Sequence, residues 1–476
     1  MRLALVGAWV ASAVATAVPA MAADLQVPPQ DRTALAITIY GNDFGLVNDR
    51  RAVTLERGRN HLSFVGVSRE IIPSSAFVSA DKPAHVLSLD YRFDLLTPAA
   101  LLERSVGETV GVIRTHPTTG EENVEPAEVL SVQDGIVLRY RDRIETGVPG
   151  RLVFDAVPQG LHPQPTLIGT IVSDTGGPLT LDLGYLTTGL AWEADYIVEV
   201  DEERGSPGGG RLGIIGRATL RNTSGGDFTN ATLTLAAGDV SREAQPMARP
   251  EAVMAEARMM RIGAPDVERE AVGDLHLYAI DEPVTLPDRQ TRQVRLLSAA
   301  NVPMEREYVS IGGPPMFRVT RDEPRPEQAT VTLRFVNDEK TGPGAPLPAG
   351  LVRVYTRDTG GRFRFLGEQG IAHTPVGQPV EVSPGRAFDV TVKREQTDYA
   401  EIGAAGEVFE SAHRLTVANA RKEAVSVKLI ETIAGDWEIV EASAPHKKES
   451  ADRAVWTAHV PAGGSTEVVY RVRVRR

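Results

Sequence analysis

The sequence predicts an all-β protein, with several antiparallel β-sandwich or small-barrel modules and one or two short helices. Apolar and polar residues alternate in many short segments, as in strands with one buried and one solvated face. The chain has 476 residues, and its 44 glycines and 32 prolines favour short strands joined by turns. Sustained helical periodicity is rare. These three observations together favour stacked antiparallel sheets.

Four segments show the alternation best. Their alternating apolar residues are Val331, Leu333 and Phe335; Phe388, Val390 and Val392; Val425, Val427 and Leu429; and Tyr470, Val472 and Val474. Because successive strand side chains point to opposite faces, these residues are predicted to lie in cores. Pairs such as Gly176-Gly177 and Asp134-Gly135 predict the turns between strands.

Helical signals are confined to two places. Thr97-Pro98 forms an N-cap and N1 pair, which predicts a short helix through Arg104. A second candidate helix covers residues 251–262. It lies within residues 241–273, which contain four methionines and are interpreted as a mobile insertion or a surface helix. A methionine face that docks a partner is the alternative interpretation.

Turn density divides the chain into five segments. They are a signal peptide (1–22), an N-terminal β unit (30–95), a small β-barrel (105–157), a central β domain (165–395, with 241–273 as an insertion) and a C-terminal β-sandwich (405–476). A chain of this length is expected to hold several cores rather than one.

The first 22 residues carry the features of a secretory signal. Arg2 is followed by an apolar run from Leu3 to Val18, and Ala20-Met21-Ala22 gives a small-x-small cleavage pattern. We therefore expect a soluble protein in the periplasm or outside the cell. The net charge of −12 argues against a nucleic-acid partner, and no second apolar run of about 18 residues predicts a membrane-spanning helix. The oligomeric state is left open.

Three fragments resemble parts of a serine-enzyme site. They are Ser79-Ala80-Asp81-Lys82, Ser173-Asp174-Thr175 and Lys340-Thr341-Gly342. Such a site needs the first fragment at the start of a helix, but Pro83 follows at once and strand-like segments flank it. We interpret all three fragments as turns.

A second apparent motif is glycine-rich. Gly208, Gly210 and Gly213 match a dinucleotide-binding pattern, which requires a following helix. A strand-like run, 214–220, follows instead, so the glycines are interpreted as a hairpin tip. The acidic cluster at 201–203 is interpreted as a solvated turn.

The remaining candidates are histidines and tryptophans. His116 and His373 fall in predicted turns, and no pair has metal-ligand spacing. Trp192, Trp437 and Trp456 lie in strand-like settings and are predicted to be core residues rather than sugar platforms. With no cysteine in the chain, thiolate chemistry is excluded. The sequence therefore predicts no catalytic, cofactor-binding or metal-binding residue.

Six motifs in order carry a family resemblance. They are LTTGLAWEADY (186–196), Asn222 with FTNATL (228–233), LHLYAIDEPVTL (275–286), LPAGLVRVY (347–355), FLGE (365–368) and GRAFDVTVK (385–393). Together they resemble the bacterial family called domain of unknown function 4139, over roughly residues 166–476. From the spacing alone, Trp192 and Tyr196 should share one buried strand face. Gly385 is predicted to be a turn residue that precedes a strand.

The resemblance implies a β-rich exported or envelope protein, and it brings no catalytic residues. The related mucoidy-inhibitor-type proteins join such a domain to a long coiled coil, but this chain has no sustained heptad pattern. We expect a non-catalytic exported envelope protein that presents β modules to a protein or polysaccharide partner. A hydrolase acting on envelope polysaccharide or peptidoglycan is the alternative, and an assembly role in the surface layer or capsule is a third.

Overall fold

The computed structural model describes most of the chain. The described residues are 25–41, 43–92, 96–148, 150–158, 161, 164–202, 209–238, 269–272, 275–313, 318–319, 323–402 and 407–475. The predicted signal peptide, 1–22, and the predicted helix over 251–262 lie outside these residues. The predicted insertion, 241–273, is described only over Arg269–Val272, which form a short strand.

Strands make up most of the described chain, which confirms the all-β prediction. The strands before Gly189 are β1 (Leu25–Val27), β2 (Arg32–Tyr40), β3 (Phe44–Leu55), β4 (Gly58–Val65), β5 (Phe77–Ala80), β6 (Ala84–Arg92), β7 (Thr109–Thr115), β8 (Glu122–Ser131), β9 (Val137–Arg139), β10 (Ile144–Thr146), β11 (Arg151–Val153), β12 (Thr166–Ser173) and β13 (Gly177–Thr188).

Sixteen further strands are described beyond Thr188. They are β14 (Leu190–Glu202), β15 (Gly209–Asn222), β16 (Phe228–Ala237), β17 (Arg269–Val272), β18 (Leu275–Leu286), β19 (Gln290–Gly312), β20 (Pro326–Val336), β21 (Gly350–Arg357), β22 (Phe363–Ile371), β23 (Pro379–Ile402), β24 (Val408–Asn419), β25 (Val425–Thr432), β26 (Asp436–Ala442), β27 (His446–Ser450), β28 (Arg453–Val460) and β29 (Ser465–Arg475).

Helical structure is limited to one α-helix and two short 3-10 turns within the described residues. Helix α1 spans Pro98–Arg104, as Thr97-Pro98 predicts. The Thr97 hydroxyl oxygen accepts a hydrogen bond from the backbone N–H of Ala100 at 3.1 Å, which caps the helix. The 3-10 turns are Pro29–Asp31 and Pro73–Ser75. No described helix is long and apolar enough to cross a membrane.

The chain divides into two compact units. The first contains Met1–Ile37, Leu46–Thr188 and Ser224–Ala231, and the second contains Thr38–Gly45, Gly189–Thr223 and Thr232–Arg476. The five segments predicted from turn density are a finer division, which stays a prediction.

The first unit holds a four-stranded sheet, in the order β1-β4-β12-β6, and the neighbouring strands β2, β3, β13 and β5. It also holds a five-stranded sheet, in the order β10-β9-β8-β7-β11. This last sheet occupies residues 105–157, where a small barrel is predicted, and it is open. Closure requires the two outer strands to hydrogen-bond along a common stretch. β10 and β11 have only three residues each and do not pair in the described chain, so the barrel prediction is wrong.

A buried ion cluster crosslinks three strands of the first unit. Arg51 and Asp49 on β3 are fully buried, and Arg51 Nη2 lies 2.6 Å from Asp49 Oδ2. Arg51 Nη1 donates to the carbonyl oxygens of Val27 on β1 and Val65 on β4, at 2.5 and 2.8 Å. Burial opposes ionisation of Asp49, but hydrogen bonds from Arg32 and Arg51 outweigh it and lower the Asp49 pKa.

The second unit is organised around one large sheet. Its strands follow the order β22-β21-β14-β15-β19-β20-β23-β24-β29-β26, and β25, β28 and β27 continue from β19. The 23-residue strand β19 pairs first with β15 and then with both β20 and β25. The pairs β14–β21 and β19–β25 are parallel. β19 is therefore shared by two layers of the unit.

We call strands β24 to β29 the C-terminal part of the second unit. Its core lies between these two layers. Strands β24 and β29 face strands β25 and β28, and the side chains between them form one apolar cluster. Its members include the predicted core residues Val331, Val390, Val392, Val425, Val427, Leu429, Tyr470, Val472 and Val474. The predictions for these residues are confirmed, and Leu333 and Phe335 are also buried.

Phe388 departs from the alternation and is 85% exposed. The register between β20 and β23 shifts, so that residues 387–390 stand opposite Ala329 alone. The extra residues rotate the strand, which buries Ala387 and Val390 and turns Phe388 outward. The prediction of Phe388 as a core residue is therefore wrong. Gly385, predicted to be a turn before the strand, lies inside β23.

Candidate functional site

The edge strands of the sheets differ in how they are protected. β1, β5, β10, β11 and β17 have only three or four residues. β26 and β27 carry charged side chains along their length. β6 and β22 have nine residues each and carry exposed large apolar side chains. Long apolar edges promote unwanted pairing and are usually shielded, so these two are candidate interaction sites.

Strand β22 carries the larger apolar surface. Phe363 and Phe365 are 54% and 56% exposed, and Leu366 is also exposed. The Tyr355 ring on β21 supports both phenylalanines, with ring centroids 6.3 and 5.5 Å apart. The Arg357 guanidinium lies 4.0 Å above the Phe363 ring. The two phenylalanine side chains are thus held in place yet remain open to solvent.

Strand β23, which runs alongside β22 at Gly367, carries a further exposed large apolar side chain, Phe388. A Cβ placed on Gly367 would lie 1.8 Å from the Pro384 carbonyl oxygen, so β22 and β23 touch at this point. Gly385 lies next to the Leu366 carbonyl oxygen, and Phe388 follows three residues later. We call Phe363, Phe365, Leu366 and Phe388 the apolar patch. Exposed large apolar side chains that are grouped on a protein surface often mark interaction sites.

Charged groups surround the apolar patch. The Asp358 carboxylate contacts both Arg362 and Arg364, at 3.1 and 2.7 Å. Backbone N–H groups, that of Arg362 first, and the Arg364 guanidinium lower the Asp358 pKa, so it is ionised at neutral pH. Toward the other end of β22, Arg353 binds Asp195 and Glu368 at 2.9 and 3.2 Å. The strand therefore has a basic end and an acidic end.

The LTTGLAWEADY and LPAGLVRVY motifs contact each other beside β21. We call the hydrogen bonds of Tyr196 and Tyr278 to the segment before β21 the clamp. Trp192 and Tyr196 face the interior of the second unit, as their spacing predicts. The Tyr196 hydroxyl donates to the Pro348 carbonyl oxygen at 2.8 Å, and that of Tyr278 donates to Pro346 at 2.9 Å. The motif residues thus hold the segment that leads into β21, which accounts for their role in the fold.

A 360 Å³ cavity adjoins this clamp, and its Asp195, Arg353 and His373 side chains are already hydrogen-bonded. Asp195 accepts Arg353 Nη1 at 2.9 Å on one oxygen and the Thr219 hydroxyl at 2.5 Å on the other. His373 Nδ1 accepts the Ala349 N–H at 3.1 Å. With both Asp195 oxygens engaged, this carboxylate is poorly placed to act as a general acid or base.

Replacing Gly350 by alanine tests the clamp. A Cβ at Gly350 would lie 2.2 Å from the Ala194 carbonyl oxygen, where β14 and β21 start to pair. We expect the variant to lose about 1–3 kcal/mol in the free energy of unfolding of the second unit, measured with denaturant. Gly213→Ala is the control, because a Cβ there meets only one atom, 4.0 Å away. Equal stability of the two variants would contradict the close approach.

One serine–histidine pair lies in the core of the C-terminal part. Ser411 Oγ and His413 Nε2 are 2.9 Å apart, and both residues lie on β24 with almost no exposure. The Gln396 amide donates to Ser411 Oγ at 2.8 Å, and burial lowers the His413 pKa to about 4. The hydroxyl is therefore enclosed and bonded on two sides. A substrate carbonyl has no space next to it, so we interpret the pair as structural.

A second buried polar group lies next to this pair. The His413 ring stacks on Tyr470, whose hydroxyl donates to Glu431 Oε2 at 3.2 Å. Arg394 Nε donates to Glu431 Oε1 at 2.9 Å. Burial raises the Glu431 pKa, although Arg394 and Tyr470 act in the opposite direction. A Cβ on Gly312 would lie 2.1 Å from Arg394 Nε, so only glycine leaves space for this guanidinium.

The three serine-enzyme fragments do not form a catalytic site. Ser79 lies on β5, and Lys82 Nζ in the following turn donates to the Pro178 carbonyl. The Asp174 N–H approaches the Pro83 carbonyl at 3.4 Å, so the first two fragments are neighbours in the first unit. Neither fragment starts a helix. The third fragment, 340–342, belongs to the second unit and forms a turn on the Asp338 carboxylate.

The two described glycines of the glycine-rich motif lie on a strand. Gly210 and Gly213 belong to β15, which continues to Asn222 without a helix, whereas Gly208 lies outside the described residues. Asp201 is the exposed penultimate residue of β14. Glu203 lies outside the described residues, as does the Glu202 side chain. The motif therefore lacks the helix N-terminus that binds a pyrophosphate.

The turn predicted at His116 and the burial predicted for the tryptophans are found, whereas His373 directly precedes a single bridge between Thr374 and Leu347. His116 accepts the backbone N–H groups of Thr118 and Thr119 in a turn. The three tryptophans Trp192, Trp437 and Trp456 are all buried. Among the described side chains, no group of three or more His, Asp or Glu could hold a metal ion.

The sequence interpretation misses the apolar patch and the buried polar cluster. The run Arg-Phe-Arg-Phe-Leu at 362–366 alternates like any half-buried strand, and only the pairing order makes β22 an edge. Ser411 and His413 are two residues apart, which places them on one strand face. That spacing is a usable signal, but it does not distinguish a buried face from an open one.

These observations define an all-β protein with two compact units, whose chemistry-bearing side chains are mostly engaged and whose open feature is an apolar strand edge. The chain belongs to the family described as domain of unknown function (DUF4139), whose model matches residues 181–476. The match covers more than half of the chain and starts some 15 residues after the sequence prediction. No curated protein matches the chain.

Proposed function

We propose that the protein is an exported, non-catalytic component of the cell envelope that presents β modules to a protein or polysaccharide partner. The observation that carries this proposal is the apolar patch on the edge strand β22, whose first half is open, and on the adjacent β23. A strand edge with exposed large apolar side chains is costly to leave open, since it favours aggregation. A partner that covers the patch removes that cost.

Export is supported by the sequence alone. The positive start at Arg2, the apolar run to Val18 and the Ala20-Met21-Ala22 pattern have the order and length of a secretory signal. Detection of a mature chain starting at Ala23 in the exported fraction would test this part of the proposal. A chain retained with residues 1–22 attached would contradict it.

The hydrolase alternative lacks a complete catalytic triad among the described residues, since the exposed Ser426–His459 pair, 2.9 Å apart, has no carboxylate hydrogen-bonded to the histidine ring. The Ser411–His413 pair is enclosed, and the Asp195 carboxylate is bound by Arg353 and Thr219. These contacts support the non-catalytic proposal. Incubating the purified protein with cell-wall polymer and following release of soluble fragments tests the alternative. Turnover of the polymer that is lost in Ser411→Ala would favour the hydrolase over the non-catalytic function.

Replacing Phe365 and Phe388 by serine is expected to abolish partner capture without unfolding the protein. Phe388 is mostly exposed and Phe365 is about half exposed beside Tyr355, so the free energy of unfolding should fall by no more than about 1.5 kcal/mol. Capture is measured by cross-linking in the cells that make the protein, followed by identification of the linked molecule. We expect the yield of one specific adduct to fall at least about fivefold, as for interface anchor residues.

The matched control is Val469→Ser, which removes a partly exposed apolar side chain from β29, outside the patch. This variant should retain the adduct. Equal yields from the Phe365/Phe388 variant and the control would show that the apolar patch does not bind the partner.

A further inference from the structure

The free part of the β22 edge is its first half. Residues 367–369 are covered by β23, where Gly367 meets the Pro384 carbonyl oxygen and the Ser383 N–H donates to the Gln369 side chain. Over 363–365, β22 pairs only with β21 within the described chain, so one row of backbone N–H and C=O groups has no strand partner, whereas Leu366 lies at a bulge next to Gly385 of β23. This short row can accept an added strand.

The charge at this end of β22 is unbalanced. Asp358 is the common partner of two arginines, Arg362 and Arg364, which are both more exposed than the carboxylate they share. One carboxylate between two guanidiniums leaves one positive charge unmatched. The whole chain carries a net charge of −12, so this basic end contrasts with the protein's general acidity. An acidic group on a partner would complete the arrangement.

We propose that the occupant of this edge is an extended polypeptide segment that pairs with residues 363–365 and carries an acidic residue next to Arg362 and Arg364. Its alternate apolar side chains would pack on Phe363 and Phe365, which lie on the same face of β22 as each other. This inference rests on the proposed function and specifies the chemistry of the partner.

Two other occupants fit less well. A second copy placed antiparallel on this edge would bring the Arg362 and Arg364 side chains of both copies close together, and like charges across paired strands are unfavourable. A polysaccharide can stack on phenylalanine rings, but it has no backbone amides to pair with the free edge of β22. Both remain as outcomes of the experiment.

The experiment uses the full chain and synthetic peptides of alternating valine and threonine. One peptide has aspartate at both ends and the other has lysine at both ends, so that strand direction does not matter. We expect the aspartate peptide to bind at least about fivefold more tightly at low salt, as for a favourable charge pair at an interface rim. The Arg362→Glu variant should remove or reverse this preference. Arg289→Glu makes the same change of charge at an exposed turn and should leave the preference intact.

Backbone methylation tests strand pairing directly. An aspartate peptide methylated on the alternate amides of one edge should lose binding, whereas methylation of the other set of amides should leave it unchanged. Failure of the aspartate peptide to bind, or indifference to charge and to methylation, would overturn the inference. A dimer in sedimentation that disappears in Phe365→Ser, or retention by purified envelope polysaccharide, would overturn it in favour of that occupant.

The outcomes separate this inference from the proposed function. If the peptide tests fail but cross-linking in cells still depends on Phe365 and Phe388, only the strand-addition inference is lost. If that cross-linking also fails to depend on the apolar patch, the proposed function is lost as well.

Discussion

Replacing Arg51 by methionine is expected to destabilise the first unit by about 3–5 kcal/mol, the cost of breaking a buried ion pair. The methionine fills a similar volume but leaves the carbonyl oxygens of Val27 and Val65 without this donor, and it removes one of the two guanidiniums on Asp49. Because the chain has two units, hydrogen exchange at the amides of β1, β3 and β4 is the appropriate measurement.

The neighbouring residue provides the control. Arg50 points out of the same strand and pairs with Asp182 at 2.6 Å, with about half of each side chain exposed. Exposed pairs contribute at most about 1 kcal/mol, so Arg50→Met should change the exchange of these strands little. Similar protection losses in both variants would mean that the buried cluster does not hold β1 and β4 to β3.

Acidification from pH 7 to pH 4 is expected to lower the free energy of unfolding of the C-terminal part by about 3 kcal/mol through His413 alone. The reason is that the unfolded chain binds a proton on this ring more tightly than the folded chain does. The pKa of His413 is about 4 in the folded protein, against an ordinary value of 6.5, because burial disfavours the charged ring. Below pH 6.5 the unfolded chain gains a proton that the folded chain does not. Stability is therefore complete above pH 6.5 and is lost as the pH falls toward 4.

Denaturant unfolding at several pH values, compared between wild type and His413→Gln, isolates this contribution, since the other titrating groups are common to both. The control is His459→Gln. His459 also lies 2.9 Å from a serine hydroxyl, that of Ser426, but it is exposed. We expect His413→Gln to flatten the decline between pH 6.5 and 4 and His459→Gln to leave it unchanged. The same slope in all three proteins would refute the burial argument.

The parts of the fold that depend on local patterns could be predicted from the sequence. Alternation places Tyr470 and Val472 in a core, and Thr97-Pro98 starts the helix. Both signals act within a few residues of the chain. The same reasoning fails at Phe388, because the bulge there depends on the partner strand β20, more than 50 residues earlier in the chain.

The candidate functional surface could not be predicted for the same reason. Phe363 and Phe365 occupy every second position, which is typical of a buried strand face, and only the order of strands in the sheet leaves them open. Arg51 is the opposite case, because two adjacent arginines predict a solvent-exposed position, whereas the Arg51 side chain is buried. Its burial follows from acceptors on β1 and β4, which the sequence does not identify.

The parallel pairing of β14 with β21 joins residues about 150 positions apart, and that of β19 with β25 joins residues about 120 positions apart. Closing such long loops is entropically expensive before the contacts form, so chains with this topology fold slowly. A growing or translocating chain exposes β14 well before β21 follows it. We therefore expect the second unit to acquire its structure only after nearly its whole length has emerged, with unpaired strands exposed in the meantime.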